Sequence, residues 1–253
     1  MAEVRLERDD RVAVVTVHDP DRRNALTLEL SAALADAVAE CERDARVHAL
    51  VVTGTPPAFC AGADLTALGE AREEGLRKIY AGFLAVAGCT LPTIAAVGGA
   101  AVGAGLNLAL ACDVRLVGPK ARFDARFLQL GIHPGGGMTW MLQRLAGPQT
   151  ATAMTLFGQV LDADGAVRHG LAWDRVDGGH DELVASAVEF ARASAEASRD
   201  LVRTIKATMR TTAATPAHAD AVGIELAPQA ESIGTPEFQN RLAAMKARIS
   251  GRD

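Results

Sequence analysis

The sequence of 253 residues contains few aromatic residues, no closely spaced pair of cysteines and no long cluster of Lys and Arg residues. Its four cysteines, at positions 41, 60, 89 and 112, show no CxxC spacing, which argues against a disulfide framework or a metal site. Their apolar surroundings predict reduced core thiols of a cytoplasmic protein. The net charge is −5 and no run of Lys and Arg is long enough to follow a phosphate backbone, which argues against a nucleic-acid partner. The first ten residues alternate charged and apolar side chains and predict no signal peptide.

One long stretch, residues 79–112, contains no charged residue at all. It is long enough to span a bilayer, which takes about 20 apolar residues in a helix. However, Pro92 and six glycines interrupt it, and it also contains Asn107. Because a single spanning helix tolerates so many helix-breaking residues poorly, we expect no membrane segment. The stretch is better explained as a buried strand, a turn and a buried helix.

Strand-like and helix-like segments alternate along the first 180 or so residues, and hydrophobic residues make up 49% of the chain. This alternation predicts an α/β fold. Apolar runs and apolar periodicity predict strands at 12–17, 49–53, 93–97 and 114–117, with a further short strand near 121–123. They predict helices at 28–41, 73–86, 104–112 and 138–145, and Thr27 can cap the first of these. After residue 182 the strand signals stop, and the sequence is expected to be helical over 183–209 and 217–249. We therefore predict a core over residues 1–182 and a helical oligomerisation region over residues 183–253.

Two glycine-flanked turns are the most informative feature of the chain. The first reads Phe-Cys-Ala-Gly-Ala-Asp-Leu at 59–65, and the second reads Gly-Gly-Ala-Ala-Val-Gly-Ala-Gly-Leu-Asn at 98–107. Each turn follows a strand-like run and leads into a helix, where backbone N–H groups are left unpaired and the helix dipole favours negative charge. Two such turns aimed at one point would form an oxyanion hole, which stabilises charge on a carbonyl oxygen.

The chain closely resembles the enoyl-CoA hydratase/isomerase (crotonase) family over about residues 10–180, through a series of short motifs in the family's order. The matching pieces are Asp-Pro at 19–20, Arg-Asn-Ala-Leu at 23–26, Ala-Phe-Cys-Ala-Gly-Ala-Asp-Leu at 58–65, Gly-Ala-Gly-Leu at 103–106, Ala-Arg-Phe at 121–123, Leu-Gly-Ile at 130–132, Pro-Gly-Gly-Gly at 134–137, Gly-Pro at 147–148, Asp-Gly-Ala at 164–166 and Gly-Leu at 170–171. No single motif is decisive, but their joint order and spacing are highly specific.

This resemblance implies a core of stacked ββα units, a helical C-terminal region and assembly into a homotrimer or homohexamer. It also implies an acyl-CoA or enoyl-CoA thioester as substrate, with coenzyme A as part of that substrate and no separate cofactor. The thioester oxygen would be bound by the backbone N–H groups of Ala63 and Ala104. The alternative is that both turns are only tight connections between a strand and a helix.

The resemblance further implies contacts to coenzyme A at Arg22 and Arg23, beside the first turn. Other contacts are expected at three positions of that turn and on the last helix, namely Ala61, Asp64, Leu65 and Lys246. A lysine that the family carries just beyond the first turn is replaced here by Thr66, so the phosphate contacts have shifted. The alternatives are ordinary solvated charge for the basic residues and helix capping for Asp64.

The resemblance implies that the family's catalytic carboxylates are missing from this chain. The alternative is that the alignment slips locally; otherwise the chemistry has moved to other side chains or is gone. Hydratases of this family carry glutamates at the positions that are Asn107 and Phe127 here. Two carboxylates suit hydration because both hold the water, one accepts its proton and the other delivers a proton to the α-carbon. An asparagine can hydrogen-bond a water but does not exchange a proton near neutral pH, and a phenylalanine can do neither.

His133 is the first candidate to take over proton transfer, because its ordinary pKa suits that role. The alternative is a histidine that packs or caps within a Gly/Pro loop. Asp124 and Asp64 are further candidates, with an arginine-paired loop aspartate and a helix cap as the respective alternatives, and Asp113 is expected to be structural.

The sequence thus predicts an acyl-CoA-binding protein of the crotonase type, nominally an enoyl-CoA hydratase or isomerase of fatty acid metabolism. One alternative is a non-catalytic acyl-CoA binder or regulator that keeps the oxyanion hole. Another is an enzyme of different outcome, such as a thioester hydrolase or decarboxylase that uses His133. A dinucleotide-dependent dehydrogenase is disfavoured because the second turn does not match G-x-G-x-x-G.

Overall fold

A computed structural model describes residues 2–250 of the chain and divides them into two compact units, residues 2–196 and 197–250. The predicted boundary at residue 182 lies in the first turn of a helix, His180–Ala195, that belongs to the first unit. No helix within the described residues is both long enough and apolar enough to span a bilayer.

The first unit contains a six-stranded sheet that is parallel except at one edge. Its strands, in spatial order, are β1 (Glu3–Asp9), β2 (Val12–His18), β3 (Ala49–Gly54), β5 (Thr93–Val97), β7 (Val114–Val117) and β10 (Asp174–Arg175). The first pair forms an antiparallel hairpin and all later neighbours are parallel. Every residue of β3 and β5 is buried, as the continuous apolar runs of these strands predict.

A second sheet of short strands runs beside the first. It contains β4 (Ala58–Cys60), β6 (Ala100–Val102), β8 (Arg122–Asp124) and β9 (Leu161–Asp162) in that order. Each of β3, β5 and β7 in the large sheet is followed in the chain by one short strand of the small sheet. This repeated arrangement, with helices in between, confirms the predicted α/β fold of stacked ββα units.

The helices of the first unit fill the connections between strands. They are α1 (Leu28–Arg43), α2 (Leu65–Glu70), α3 (Glu73–Gly88), α4 (Ala104–Ala111), α5 (Met138–Leu156), α6 (Ala163–Arg168) and α7 (His180–Ala195). The Thr27 side chain caps α1 by accepting a hydrogen bond from the Leu30 N–H, 3.1 Å away. The helix predicted to end at residue 145 continues to Leu156, with a kink at Gly147, whose φ is +78°.

Three helices make up the second unit: α8 (Arg199–Thr212), α9 (His218–Ile233) and α10 (Pro236–Ser250). The continuous helix expected over residues 183–209 is therefore two helices, because residues 196–198 interrupt it and Ser198 caps α8. Large apolar side chains of this unit are exposed, among them Ile205, Met209, Leu226, Met245 and Ile249.

Helix α4 is the most deeply embedded helix of the first unit, with seven of its eight residues buried. It is seated directly on strand β4: a methyl group at Gly105 would lie only 2.0 Å from the Cys60 carbonyl oxygen. Backbone therefore packs against backbone here, with no room for a side chain. This contact sets the distance between the two glycine-flanked turns.

We predict that Gly105→Ala destabilises the protein by about 3 kcal/mol, because the backbone of β4 cannot retreat from the added methyl group. The matched control is Gly69→Ala in α2, where a methyl group would meet nothing within 4 Å. That change should be neutral or stabilising by about 0.5–1 kcal/mol, since alanine favours helix over glycine. Urea unfolding measures both, and equal midpoints for the two variants would contradict the prediction.

Candidate active site

The first glycine-flanked turn is held by a segment that precedes α1. The Leu26 N–H donates to the Gly62 carbonyl at 2.7 Å, and the Asp64 N–H donates to the Leu26 carbonyl at 2.9 Å. Neighbouring N–H groups of an extended chain point in opposite directions, so the Ala63 N–H faces away from Leu26. No hydrogen bond within residues 2–250 uses this N–H.

The second turn ends at Gly103, whose φ of +51° and ψ of −114° suit glycine. The Gly103 N–H donates to the Asp124 carbonyl at 2.9 Å, which ties the turn to β8. Ala104 is the first residue of α4, where a helix leaves its N–H without an intrahelical partner. No carbonyl in the described part of the chain accepts from it.

The two turns lie against each other. A methyl group at Gly62 would lie 2.9 Å from the Val102 carbonyl oxygen and 3.9 Å from the Ala104 nitrogen. Gly62 has a φ of +108°, a conformation that L side chains rarely adopt. Ala63 and Ala104 therefore present their free N–H groups from neighbouring backbone segments.

A cavity of about 740 Å³ opens in front of both N–H groups. Nine of the residues singled out from the sequence line it: Arg22, Ala61, Ala63, Asp64, Leu65, Ala104, Asn107, Phe127 and His133. Arg23 is exposed and does not line it, although its carbonyl accepts from the Ala61 N–H at 3.0 Å. Lys246 lies on α10 of the second unit, so it is not among the groups that the first unit brings together.

Asn107 lies one helical turn beyond Ala104 and is only 1% exposed. Its Nδ2 donates to the Gly135 carbonyl at 2.9 Å, which fixes the orientation of the amide. Its Oδ1 is buried without a hydrogen-bond partner. A buried acceptor without a partner is costly, and such atoms mark places where a ligand or water binds.

Phe127 lies beside the second turn, with its ring 4.0 Å from the position of a methyl group on Gly103. The ring packs against the core and lines the cavity, so this part of the cavity wall is apolar. Other apolar residues continue this wall: Leu68, Leu76, Ile79, Leu130 and Ile132.

His133 is exposed at the edge of the cavity. Its Nδ1 lies 2.7 Å from the Pro134 carbonyl oxygen. A carbonyl only accepts, so Nδ1 carries the proton, and the neutral ring has Nε2 as its acceptor. The loop contact therefore orients the imidazole and leaves one nitrogen available for proton transfer.

The aspartates near the cavity have structural partners. Asp64 caps α2 by accepting from the Thr66 and Ala67 N–H groups, at 3.1 and 3.0 Å. Asp124 is buried and forms an ion pair with Arg126, which raises the pKa of that guanidinium. Asp113, away from the cavity, accepts from the Thr93 N–H at 2.8 Å and from the Thr93 hydroxyl at 3.0 Å.

At the rim of the cavity Arg22 lies between two carboxylates. Its Nε donates to Asp19 Oδ2 at 2.7 Å and its Nη1 is 3.8 Å from Asp64 Oδ2. The guanidinium remains 51% exposed, so it can also contact an anionic ligand.

Three residues with a role at the site were not singled out from the sequence. Tyr80 and Arg126 line the cavity, from α3 and from the loop after β8. Asn24 is fully buried, and its Nδ2 donates to the Thr55 and Ala58 carbonyls at 2.7 and 2.8 Å, which anchors the segment that holds the first turn. Its place as a polar residue within the matching motif at 23–26 was the available signal for Asn24.

The arrangement can place two backbone donors on one oxygen atom without any side chain. His133 is the one histidine among the side chains that line the cavity. No group of three or more His, Cys, Asp or Glu side chains in residues 2–250 is placed to hold a metal ion.

Comparisons with known proteins agree on one family. The family model described as "Enoyl-CoA hydratase/isomerase" matches residues 7–247. The chain is 56% identical to "Probable enoyl-CoA hydratase EchA14" of Mycobacterium tuberculosis, over 97% of this chain and 98% of that protein. It is 35% identical to the 1,2-epoxyphenylacetyl-CoA isomerase of Escherichia coli over 70% of each chain. The crystal structure of an enoyl-CoA hydratase from Bacillus anthracis matches with a TM-score of 0.89 at 26% identity, over 97% of this chain and 96% of that one.

We predict that none of the four cysteines reacts readily in the folded protein, Cys60 beside the first turn included. All four are buried and none forms a disulfide, and burial raises the pKa of Cys41 and of Cys60 to about 12. Thiolate is then scarce at pH 8. Titration with a thiol-specific disulfide reagent should count four thiols per chain in denaturant and label the native protein far more slowly. Rapid labelling of one native thiol would disprove this.

Proposed function

This chain belongs to the enoyl-CoA hydratase/isomerase family, and from that premise we propose that it binds an acyl-CoA thioester and polarises its carbonyl. The thioester oxygen accepts hydrogen bonds from the Ala63 and Ala104 N–H groups. The observation that carries this proposal is the pair of unpartnered N–H groups on adjoining turns at one cavity. The dipole of α4 adds to the stabilisation of negative charge at Ala104.

The nucleotide end of the ligand lies at the rim near Arg22 in this proposal. Its half-exposed guanidinium supports a phosphate contact, and Ala61, Asp64 and Leu65 line the adjoining wall. Arg23 contributes through its backbone carbonyl rather than its side chain, which points to Arg22 as the basic residue to test.

We further propose that hydration of simple enoyl thioesters is slow. Asn107 can hold a water through Oδ1, but an amide does not take its proton. Phe127 supplies no polar group where a second acid or base is needed. The oxyanion hole is made by backbone, so thioester binding does not depend on these two side chains.

A second candidate function is thioester chemistry in which His133 transfers the proton, such as hydrolysis or decarboxylation. The hydrogen bond from Nδ1 to the Pro134 carbonyl favours it, because it leaves Nε2 as a base at the cavity edge. A non-catalytic acyl-CoA binder is the outcome if no turnover depends on His133.

For assembly, we propose a homotrimer or homohexamer. The exposed apolar side chains of α8, α9 and α10 support it, because such surface in a helical region is typical of subunit contacts. A cytoplasmic location is proposed because the four cysteines form no disulfide.

We predict that Ala104→Pro lowers kcat/KM at least about 100-fold on whatever thioester is turned over, because it removes one oxyanion donor. Proline is well tolerated at the first position of a helix, so α4 should persist. Ala104→Gly keeps the N–H and is the matched control, expected within a few-fold of the parent. Calorimetric binding of butyryl-CoA should weaken for the proline variant only. Unchanged binding and turnover in Ala104→Pro would refute the assignment.

We predict that the parent protein hydrates crotonyl-CoA with a kcat well below about 10 s⁻¹, a typical enzyme value. The double change of Asn107 and Phe127 to glutamate should raise this rate at least about ten-fold, since one positioned acid or base is worth about 10²–10⁴. Loss of the ultraviolet absorbance of the conjugated enoyl thioester follows the reaction. A parent kcat of about 10 s⁻¹ or more would show that the catalytic groups are wrongly placed.

His133→Ala is the companion variant for the residual rate. If residual turnover disappears while butyryl-CoA still binds, His133 carries the proton transfer. If turnover persists, His133 is a structural residue of the loop.

A further inference from the structure

Tyr80 is the single tyrosine of the chain and lies on α3 against the cavity. Its ring packs on Phe83 with a centroid distance of 5.4 Å. Its hydroxyl lies against Gly135: a methyl group on that glycine would come within 2.2 Å of the oxygen. No hydrogen bond within residues 2–250 uses the Tyr80 hydroxyl, so a donor and an acceptor remain available at the cavity wall.

Asn107 meets the same loop residue from α4. Its Nδ2 donates to the Gly135 carbonyl, so the amide cannot flip without losing that bond, and Oδ1 is the atom left without a partner. A methyl group on Gly136 would lie 2.5 Å from Nδ2, which shows how closely the loop covers this side chain. Tyr80 and Asn107 thus bring a phenol hydroxyl and an amide oxygen to one short loop segment.

The surrounding wall is apolar, with Leu76, Ile79 and Ile132 among its members. A hydrogen-bonding pair in such a wall selects ligands strongly, because a polar ligand group satisfies it and a hydrocarbon chain leaves it unpaired. Asn107 lies three residues beyond Ala104, about 4.5 Å along the helix axis. For a carbonyl oxygen bound at Ala104, this spacing corresponds to a substituent on the β-carbon.

We propose that Tyr80 is a substrate-binding residue that selects a hydroxyl group on the β-carbon of the acyl chain. The Tyr80 hydroxyl donates to that hydroxyl oxygen, and the substrate hydroxyl donates to Asn107 Oδ1. A hydroxyl satisfies both groups because it donates one hydrogen bond and accepts others. The ligand class is a 3-hydroxyacyl thioester, and the inference rests on the proposed thioester site. A bound water offers the same chemistry, so the test separates the two sources.

The test compares 3-hydroxybutyryl-CoA with butyryl-CoA, which differ by the hydroxyl alone, by titration calorimetry on the parent and on Tyr80→Phe. The parent should bind the hydroxylated ligand at least about five-fold more tightly, since a hydrogen bond to a neutral group contributes modestly. Tyr80→Phe keeps the ring on Phe83 and should bring this ratio close to one. Its affinity for butyryl-CoA should stay within about two-fold of the parent, which a merely structural role would not give.

The outcomes separate the two proposals. If butyryl-CoA does not bind the parent, the proposed thioester site fails and this inference fails with it. If the parent binds butyryl-CoA and 3-hydroxybutyryl-CoA equally tightly, a bound water and not a ligand hydroxyl satisfies Tyr80 and Asn107, and the inference is overturned. A preference for the hydroxylated ligand that persists in Tyr80→Phe overturns the role of Tyr80. An equal loss of affinity for both ligands in this variant, with an unchanged melting temperature, overturns it as well.

Discussion

The close contact between two backbone segments controls the rest of this structure. Gly105 lies so near the Cys60 carbonyl that no Cβ fits between them, and Gly62 is similarly close to the Val102 carbonyl. Side chains usually separate packed elements by several ångströms, and their absence here lets a strand end and a helix start adjoin. The unpaired N–H groups of Ala63 and Ala104 lie at this strand end and this helix start, so the contact also fixes the positions of these two donors.

Hydrogen bonds from neighbouring segments hold the two turns in place. Asn24 joins the segment under the first turn to the Thr55 and Ala58 carbonyls, and the backbone carbonyl of Asp124 accepts from the Gly103 N–H at the second turn. At the far end of α4, the buried Arg115 donates to the Cys112 and Leu171 carbonyls, at 2.7 and 2.6 Å. Burial lowers the pKa of this guanidinium, and carbonyl acceptors at a helix C-terminus suit its charge. The helix that supplies a donor at its start is thus fixed at its end.

The elements that the sequence predicted well are those whose signal is local. The buried strands predicted at 93–97 and 114–117 match β5 and β7, and Thr27 caps α1 as expected. A short strand predicted near 121–123 corresponds to β8, whereas β4 and β6, with three residues each, are too short to show a period and form through pairing. The edge strand β1 carries charged residues on its exposed faces and gave no apolar run.

At the site, glycine turns and family motifs in the sequence indicated Ala63 and Ala104, and the structure places these residues on adjoining turns, while their role as donors stays a prediction. Tyr80 and Asn24 could not, because their contacts lie at Gly135 and around Ala58, far away in the chain. Helical spacing alone assigned the segment around Tyr80 to a helix and did not indicate which side chain would face a cavity. The extension of α5 beyond Gly147 was missed because Gly-Pro signals a helix end, whereas the chain resumes a helix after the kink.

Backbone groups and side chains have different parts in the chemistry of such a site. Family membership therefore constrains the binding of a carbonyl oxygen by backbone N–H groups more tightly than the reaction that follows, which depends on side chains. Polarising a carbonyl requires two N–H groups at fixed positions, which any residue except proline supplies, so the donor proposed at Ala104 does not require glycine. The fate of a polarised acyl group instead depends on a few side chains around its α- and β-carbons. In this chain the side chains that line the cavity include an amide, a phenyl ring, an oriented imidazole and a phenol, with the nearby carboxylates engaged in caps or ion pairs. Under the proposed function, the amide and the phenol offer hydrogen bonds to a hydroxyl group, whereas the amide and the phenyl ring transfer no proton.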